Sequence, residues 1–151
     1  MKLNLGSGSD YREGWINLDR GHCKKDIDHD LEDLPLPFDD NSADEIHLIQ
    51  VLEHISRDQF VNFMREIHRI AKPNGRVIIT CPYYLSKNAF TDFTHKNFMT
   101  EDSFGYFDNT SQLRTEGRIY GIDFTFKVKV AFSADPHHPE CSILYELTVE
   151  K

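Results

Sequence analysis

The segment Leu3–Asp19, LNLGSGSDYREGWINLD, decides the interpretation of the fold. A short apolar strand, Lys2–Leu5, runs into Gly-Ser-Gly, and a second strand, Trp15–Leu18, ends at Asp19. A glycine loop after a strand normally opens a helix that leads to the next strand. Residues 9–15 leave little room for such a helix. The loop is therefore expected to serve a ligand that does not need a helix N-terminus.

The spacing of the loop counts against a dinucleotide. The fingerprint G-x-G-x-x-G has a third glycine for helix packing, and here Tyr11 stands in that place. A pyrophosphate normally binds at the helix N-terminus. The ribose-binding acid of dinucleotide proteins follows about 20 residues later, whereas Asp19 is much closer. The P-loop spacing G-x-x-x-x-G-K is also absent.

A nucleoside ligand without phosphates fits these features better. It still needs glycines for close approach of the backbone, and an acid at the end of the second strand for both ribose hydroxyls. S-adenosylmethionine is such a molecule, and its cationic sulfonium suits an acidic site.

The middle of the chain predicts a strand–helix–strand unit. Glu45–Val51 is mostly apolar, as in a central buried strand. Ser56 and Gln59 have the spacing of a capping box at the start of a helix. Apolar residues follow at helical spacing, and Pro73-Asn74-Gly75 ends the helix. Arg76–Cys81 is then a second buried strand, which indicates parallel pairing.

The C-terminal part predicts an antiparallel hairpin. Asp123–Phe132 and Ser142–Glu150 both alternate apolar and polar residues. With a weak third strand at Lys25–Asp30 and a short helix from Thr100 to Phe107, the chain is assigned to the α/β class. We expect a Rossmann-like, mostly parallel sheet with an antiparallel C-terminal hairpin, in a three-layer sandwich with abbreviated helices.

Composition narrows the function classes. The 151 residues suit one domain, residues 1–151, and the formal net charge of −8 disfavours nucleic acid or an anionic membrane as partner. Three widely spaced cysteines do not form a disulfide framework. No signal peptide or membrane-length apolar run is recognised. We expect a cytoplasmic protein.

Four segments in order resemble the class I S-adenosylmethionine-dependent methyltransferases, and small type 11 members in particular. LNLGSG is similar to their first glycine motif, and INLD to their second strand with its ribose-binding acid. DHDLEDLPLPFDDNSADEIHLIQVLEHI and FMREIHRIAKPNGRVIITCP resemble the stretches that follow. The resemblance covers about residues 2–84. Two family positions differ, because Ser7 stands where Cys is frequent and Gln50 where His is usual.

The resemblance implies a cofactor site for S-adenosylmethionine. Gly6, Ser7 and Gly8 would let the backbone approach the methionine and ribose portion. Asp19 would accept from the ribose hydroxyls, with Asp30 and Leu31 at the adenine. The backbone carbonyls of Gln50 and Val51 would bind the methionine ammonium, and His54 would face the same cleft. All nine residues are predicted to bind the cofactor (Gly6, Ser7, Gly8, Asp19, Asp30, Leu31, Gln50, Val51 and His54).

The acceptor side is predicted from FTDFTHKNF, residues 90–98, which follows the fifth strand at the carboxyl edge of the sheet. It is interpreted as a substrate lid rather than a loop pinned by its aromatics. His95, and after it His54, are the candidate catalytic bases because imidazole titrates near neutrality. Tyr83, Asp92 and His95 are the candidate acceptor-binding residues.

Several alternatives stay open. Asp26, Asp28 and Asp33 are rivals to Asp30, and Glu53 is interpreted as an ordinary residue of a first helical turn. Lys127 and Lys129 are interpreted as the solvated face of an edge strand. His137, His138 and Cys141 do not have the spacing of a metal site, so no metal is predicted.

The expected activity is methyl transfer to a small-molecule or saccharide acceptor. A non-catalytic cofactor-binding or regulatory subunit is one alternative, and a nucleotide-dependent oxidoreductase is a weaker one. Thin helical cover of the sheet suggests a homodimer.

Overall fold

The computed structural model describes residues 1–151 and contains one seven-stranded sheet. The strand order is β3-β2-β1-β4-β5-β7-β6, with β1 to β5 parallel and β7 antiparallel to both β5 and β6. This arrangement confirms the predicted fold class. The strands are β1 (Lys2–Leu5), β2 (Ile16–Asp19), β3 (Ile27–Asp28), β4 (Ala43–Ile49), β5 (Ala71–Pro82), β6 (Thr125–Phe132) and β7 (Ser142–Glu150).

The helices are few and short. They are α1 (Phe60–Ile70), α2 (Lys87–Thr91) and α3 (Arg114–Ile119), with 3₁₀ turns at Leu52–His54 and Gly105–Phe107. A helix was predicted from Thr100 to Phe107, but only the 3₁₀ turn Gly105–Phe107 forms there. Sequence reasoning did not predict α2 or α3.

The predicted boundaries of α1 are wrong at both ends. Gln59 is the N-cap residue and makes no side-chain cap bond, so the capping box with Ser56 does not form. The Ser56 hydroxyl accepts from Lys96 Nζ at 2.9 Å instead. At the other end the helix stops at Ile70, and Ala71 already pairs with Ala43 of β4. The turn at Asn74 (φ 61°) is therefore an irregularity inside β5 rather than the end of the helix.

The main core lies between one face of the sheet and α1. Leu3, Ile46, Val77 and Tyr145 come from four neighbouring strands and are fully buried. Alternate residues of β7 are buried against this core, as the period of the strand requires. Lys127 and Lys129 lie exposed on the edge strand β6, as predicted.

No helix connects β1 to β2, β2 to β3 or β3 to β4. For the β1–β2 connection, the short glycine loop had predicted this result. The β1–β2 loop itself covers part of the sheet. Its Trp15 ring meets His47 edge-on at 4.5 Å between ring centroids, and the Arg12 guanidinium lies 5.3 Å from the Trp15 ring. Beneath the loop, Asn4 Nδ2 donates to Asn17 Oδ1 at 3.1 Å, which joins β1 to β2 through buried amides.

None of the helices has the length and apolar character needed to cross a membrane.

Candidate active site

A cavity of about 270 Å³ opens at the carboxyl ends of β1, β2 and β4. This edge is where open α/β sheets bind their ligands. Seven of the nine residues predicted to bind the cofactor line it. The complete lining is Gly6, Asp19, Arg20, His29, Asp30, Leu31, Glu32, Gln50, Val51, His54, Ile55 and Lys96.

Gly6 is required at its position for two reasons. Its φ of +69° lies in the left-handed region, which L side chains rarely adopt. A Cβ at this position would lie 2.7 Å from Cγ2 of Val51 and 3.4 Å from Cδ1 of Leu31. The bare backbone of Gly6 therefore keeps this wall of the cavity open.

Asp19 is held by backbone amides and not by an ion pair. Its Oδ2 accepts from the Gly8 amide at 2.8 Å, and its Oδ1 accepts from the Gly21 amide at 2.5 Å. A carboxylate has about four lone-pair sites, so each oxygen keeps capacity for one more donor. The side chain is thus fixed in place while it can still accept from a diol in the cavity.

Among the four candidate aspartates, only Asp30 lines the cavity. Its carboxylate accepts from the Glu32 amide at 3.0 Å and pairs with Arg20. The Glu32 amide, followed by Arg20, holds the pKa of Asp30 below its usual range. Asp26 instead binds the amide of Asn17 at 2.8 Å.

Gln50 is the residue at which the chain leaves β4 for the cavity. Its φ of +57° is unusual for a residue other than glycine. Its amide donates to the Thr80 carbonyl of β5 at 2.8 Å, which holds the strained residue in place. Strained backbone is often found at functional sites, and Gln50 and Val51 both line the cavity.

The other predicted residues lie around this cavity or away from it. Ser7 is buried, and its hydroxyl has no hydrogen-bond partner within the protein. Gly8 does not line the cavity, but its amide donates to Asp19, which does. Tyr83 is buried and does not line the cavity, and its hydroxyl donates to Glu101 at 2.8 Å. That bond uses the only proton that Tyr83 could donate to an acceptor.

A second group of polar side chains lies at the rim, beside His54. The rings of His54 and His95 meet edge-on with 4.8 Å between their centroids. Thr94 Oγ1 donates to Asp92 Oδ1 at 2.7 Å and lies 3.1 Å from His54 Nδ1. His54 is half-buried, and this burial lowers its pKa.

Glu53 lies in the 3₁₀ turn Leu52–His54, in agreement with its assignment to a first helical turn, but its side chain is not an ordinary one. It is only 1% exposed, and its Oε2 has no hydrogen-bond partner. Burial raises the pKa of this carboxyl group. Its backbone carbonyl accepts from the amides of Lys96 at 2.6 Å and Asn97 at 3.2 Å. The segment that carries His95 is thereby fixed against the Leu52–His54 turn.

Sequence reasoning missed five residues that line the cavity: Arg20, His29, Glu32, Ile55 and Lys96. Arg20 follows Asp19, and His29 precedes Asp30. Their position next to predicted residues could have identified them. Lys96 directly follows His95 in the segment that is predicted to form the substrate lid, so its neighbourhood was a signal as well.

The family model for the methyltransferase domain matches residues 7–79 of the chain. No curated protein matches the chain in sequence. The matched segment contains most of the predicted cofactor residues, from Ser7 to His54.

Solved structures share the fold at low sequence identity. An S-adenosylmethionine-dependent methyltransferase from Archaeoglobus fulgidus is 13% identical, with a TM-score of 0.71 over 97% of this chain and 85% of that one. A Burkholderia thailandensis 1,6-didemethyltoxoflavin-N1-methyltransferase, solved with bound 1,6-didemethyltoxoflavin and S-adenosylhomocysteine, is 12% identical, with a TM-score of 0.63 over 99% of this chain and 71% of that one. A Haloferax volcanii methyltransferase in complex with the activator Trm112 is 17% identical, with a TM-score of 0.62 over 99% and 82%.

The sheet order, the glycine loop and the carboxylate at the end of β2 agree with this family match. The chain is therefore similar to the class I S-adenosylmethionine-dependent methyltransferases in its fold, and it matches their family model over residues 7–79, just under half of its length.

Proposed function

We propose that the chain transfers the methyl group of S-adenosylmethionine to a small-molecule or saccharide acceptor that enters beside His54. The observation that carries this proposal is the meeting of three separate segments at one cavity. The glycine loop supplies Gly6, the end of β2 supplies Asp19, and the end of β4 supplies Gln50. No segment provides a helix N-terminus for a diphosphate at the loop.

The lining residues suit each part of the cofactor. The free lone pairs of Asp19 suit the ribose diol, and the buried Leu31 offers an apolar surface for the adenine ring. The Asp30 carboxylate, held by the Glu32 amide, is the proposed acceptor for the adenine amino group. The Ser7 hydroxyl, unpartnered within the protein, is a further candidate contact.

When bound, the cofactor would supply a methyl carbon activated by the sulfonium; an acceptor nucleophile would attack this carbon in line as the carbon–sulfur bond breaks, with S-adenosylhomocysteine as the leaving group. The protein therefore has mainly to align donor and acceptor and to exclude water, and orientation of this kind can supply roughly 7–11 kcal/mol of the barrier. On the acceptor side we place His54, His95 and Asp92. His54 lines the cavity, and His95 lies directly behind it.

A ligand panel tests the cofactor part of this proposal. Thermal shift and calorimetry should show stabilisation by S-adenosylhomocysteine and S-adenosylmethionine, and none by NAD or NADP. Stabilisation by NAD or NADP alone would favour the oxidoreductase and overturn the proposal.

Transfer of a labelled methyl group to a pool of small metabolites and saccharides then tests catalysis. Incorporation of label supports an enzyme. Cofactor binding without any incorporation would instead support the non-catalytic subunit.

We also propose that the chain forms a homodimer through the sheet face opposite α1. The support for this proposal is the thin helical cover of the sheet, because α1 is the only helix longer than six residues and no helix connects the first four strands. Sedimentation equilibrium across a range of concentrations measures the assembly directly. A monomer at all concentrations would refute the homodimer without affecting the proposed reaction.

A further inference from the structure

Glu53, His54 and His95 come together at the rim of the cavity. One carboxylate oxygen of Glu53 and one ring nitrogen from each histidine all lie within 4.8 Å of one another. We propose that these three residues bind a divalent transition-metal ion. The sequence analysis did not predict a metal site here. It considered only His137, His138 and Cys141 as metal ligands, and it rejected them.

Hydrogen bonds occupy Nδ1 of both imidazoles. The Ala89 carbonyl lies 3.0 Å from His95 Nδ1 and can only accept, so Nδ1 carries the proton and Nε2 keeps a free lone pair. Thr94 gives its only proton to Asp92, so it must accept from Nδ1 of His54. His54 Nε2 is therefore also a lone-pair donor. Metal-binding histidines are oriented in this way by a partner on the other nitrogen.

Glu53 completes the donor set. Its carboxylate is almost fully buried, and Oε2 has no partner. A buried polar atom without a partner calls for an explanation, and an ion is a common one. Two imidazole nitrogens and one carboxylate oxygen suit Zn²⁺, Co²⁺ or Mn²⁺ better than Mg²⁺, which prefers oxygen ligands alone.

The spacing of the cluster is close to what an ion requires. Two ligands of a tetrahedral ion lie roughly 3.4 Å apart when each metal–nitrogen distance is about 2.1 Å. The three ligand atoms lie within 4.8 Å of one another, so they would have to move together by up to about 1.4 Å to hold an ion, which rotation of the side chains can supply. The backbone is already fixed, because the Asn97 side-chain amide donates to the carbonyls of Leu52 at 2.8 Å and Ile55 at 2.7 Å.

The position of the ion would determine which functional group of the acceptor is methylated. This step of the inference rests on the proposed function. His54 lines the cofactor cavity, so an ion on its Nε2 would lie at the mouth through which an acceptor enters. A bound cation lowers the pKa of a coordinated hydroxyl group. The acceptor would then be an alcohol or saccharide hydroxyl, with the two histidines as ligands of the ion instead of bases.

The test is calorimetric titration of the full chain, without an affinity tag and freed of metal by a chelator, with Mn²⁺ and Zn²⁺. We expect one ion per chain. Glu53→Gln, His54→Ala and His95→Ala should each weaken binding by more than roughly tenfold, since even outer-shell losses cost 10–100-fold. A variant with His137→Ala and His138→Ala is the matched control, and its affinity should not change. Equal affinity in all variants, or loss only in the control, would overturn the site.

A second measurement does not depend on whether the variants fold. Substoichiometric Mn²⁺ added to the unaltered chain should broaden the imidazole NMR signals of His54 and His95 before those of His137 and His138. Broadening of the latter pair first would refute the site. Calorimetry with S-adenosylhomocysteine separates this inference from the proposed function. If the chain binds S-adenosylhomocysteine but neither Mn²⁺ nor Zn²⁺, only the metal site is refuted. If it binds the metal ion but not S-adenosylhomocysteine, only the methyltransferase proposal is refuted.

Discussion

The Gly8 amide donates a 2.8 Å hydrogen bond to Oδ2 of Asp19, and this bond joins the glycine loop to the end of the neighbouring strand. The Gly21 amide binds the other oxygen from the opposite side. The Asp19 carboxylate therefore holds the loops that contain Gly8 and Gly21, and it also lines the cavity. The short connection between β1 and β2 depends on this bond in place of a helix.

Asp19→Asn should weaken binding of S-adenosylhomocysteine by more than tenfold. The substitution removes the charge and replaces one accepting oxygen by a donor group. Hydrogen bonds to a charged group contribute about 1.5–3 kcal/mol each, and about 1.4 kcal/mol corresponds to a tenfold change. Calorimetric titration measures the change. Asp28→Asn, which alters an exposed acid outside the cavity, is the control and should bind as the unaltered chain does.

Gly6→Ala should both destabilise the chain and weaken cofactor binding. A new Cβ meets Val51 Cγ2 at 2.7 Å and also forces alanine into a left-handed backbone. The backbone strain alone costs about 1–2 kcal/mol. Gly14→Ala separates the two effects, since Gly14 has a φ of +79° but no neighbour within 4 Å of a Cβ.

Denaturant titration should therefore show a larger loss for Gly6→Ala than for Gly14→Ala. Adding Val51→Ala to Gly6→Ala should recover part of the difference, because it removes the atom that clashes. Equal losses for the two glycine variants would show that the contact with Val51 has no energetic effect.

Most of the residues predicted to bind the cofactor line one cavity because they lie on short segments with strong local signals. Gly6, Asp19 and Gln50 each stand where a strand ends, so the strand assignments alone bring them to one edge of the sheet. Asp30 was chosen over Asp26 on the family resemblance, because a two-residue strand has no period that fixes its register; of the two, only Asp30 lines the cavity.

The acceptor half was less predictable because it depends on long-range contacts. Lys96 reaches the cavity since its amide donates to Glu53, from a distant part of the chain. Glu53 was interpreted as an ordinary residue of a first helical turn. The 3₁₀ turn Leu52–His54 buries it instead. Burial of that kind has no signature in local periodicity.

Glu66→Ala should destabilise the chain by about 1–3 kcal/mol through loss of a buried acceptor. Glu66 Oε1 accepts from the Leu36 amide at 2.7 Å and from Arg69 Nη2 at 2.6 Å. It thereby attaches the loop that precedes β4 to α1. Without it, the Leu36 amide would be buried unpaired. Chemical denaturation measures the loss, with Asp58→Ala, an exposed acid just before α1, as the control that should change little.

The stability of the chain should fall as the pH drops below about 6.5, in part because of His68. Its Nε2 donates to the Glu150 carbonyl at 2.9 Å, and its ring packs on Phe124 and Phe126. Burial lowers the pKa of His68 in the folded chain. Between that lowered value and 6.5, the unfolded chain binds a proton that the folded chain does not, so unfolding is favoured as the pH falls. His68→Gln keeps a donor without titrating, so the difference in unfolding free energy between it and the unaltered chain should change in this pH window. A difference that stays constant from pH 8 to pH 5 would show that His68 titrates alike in both states.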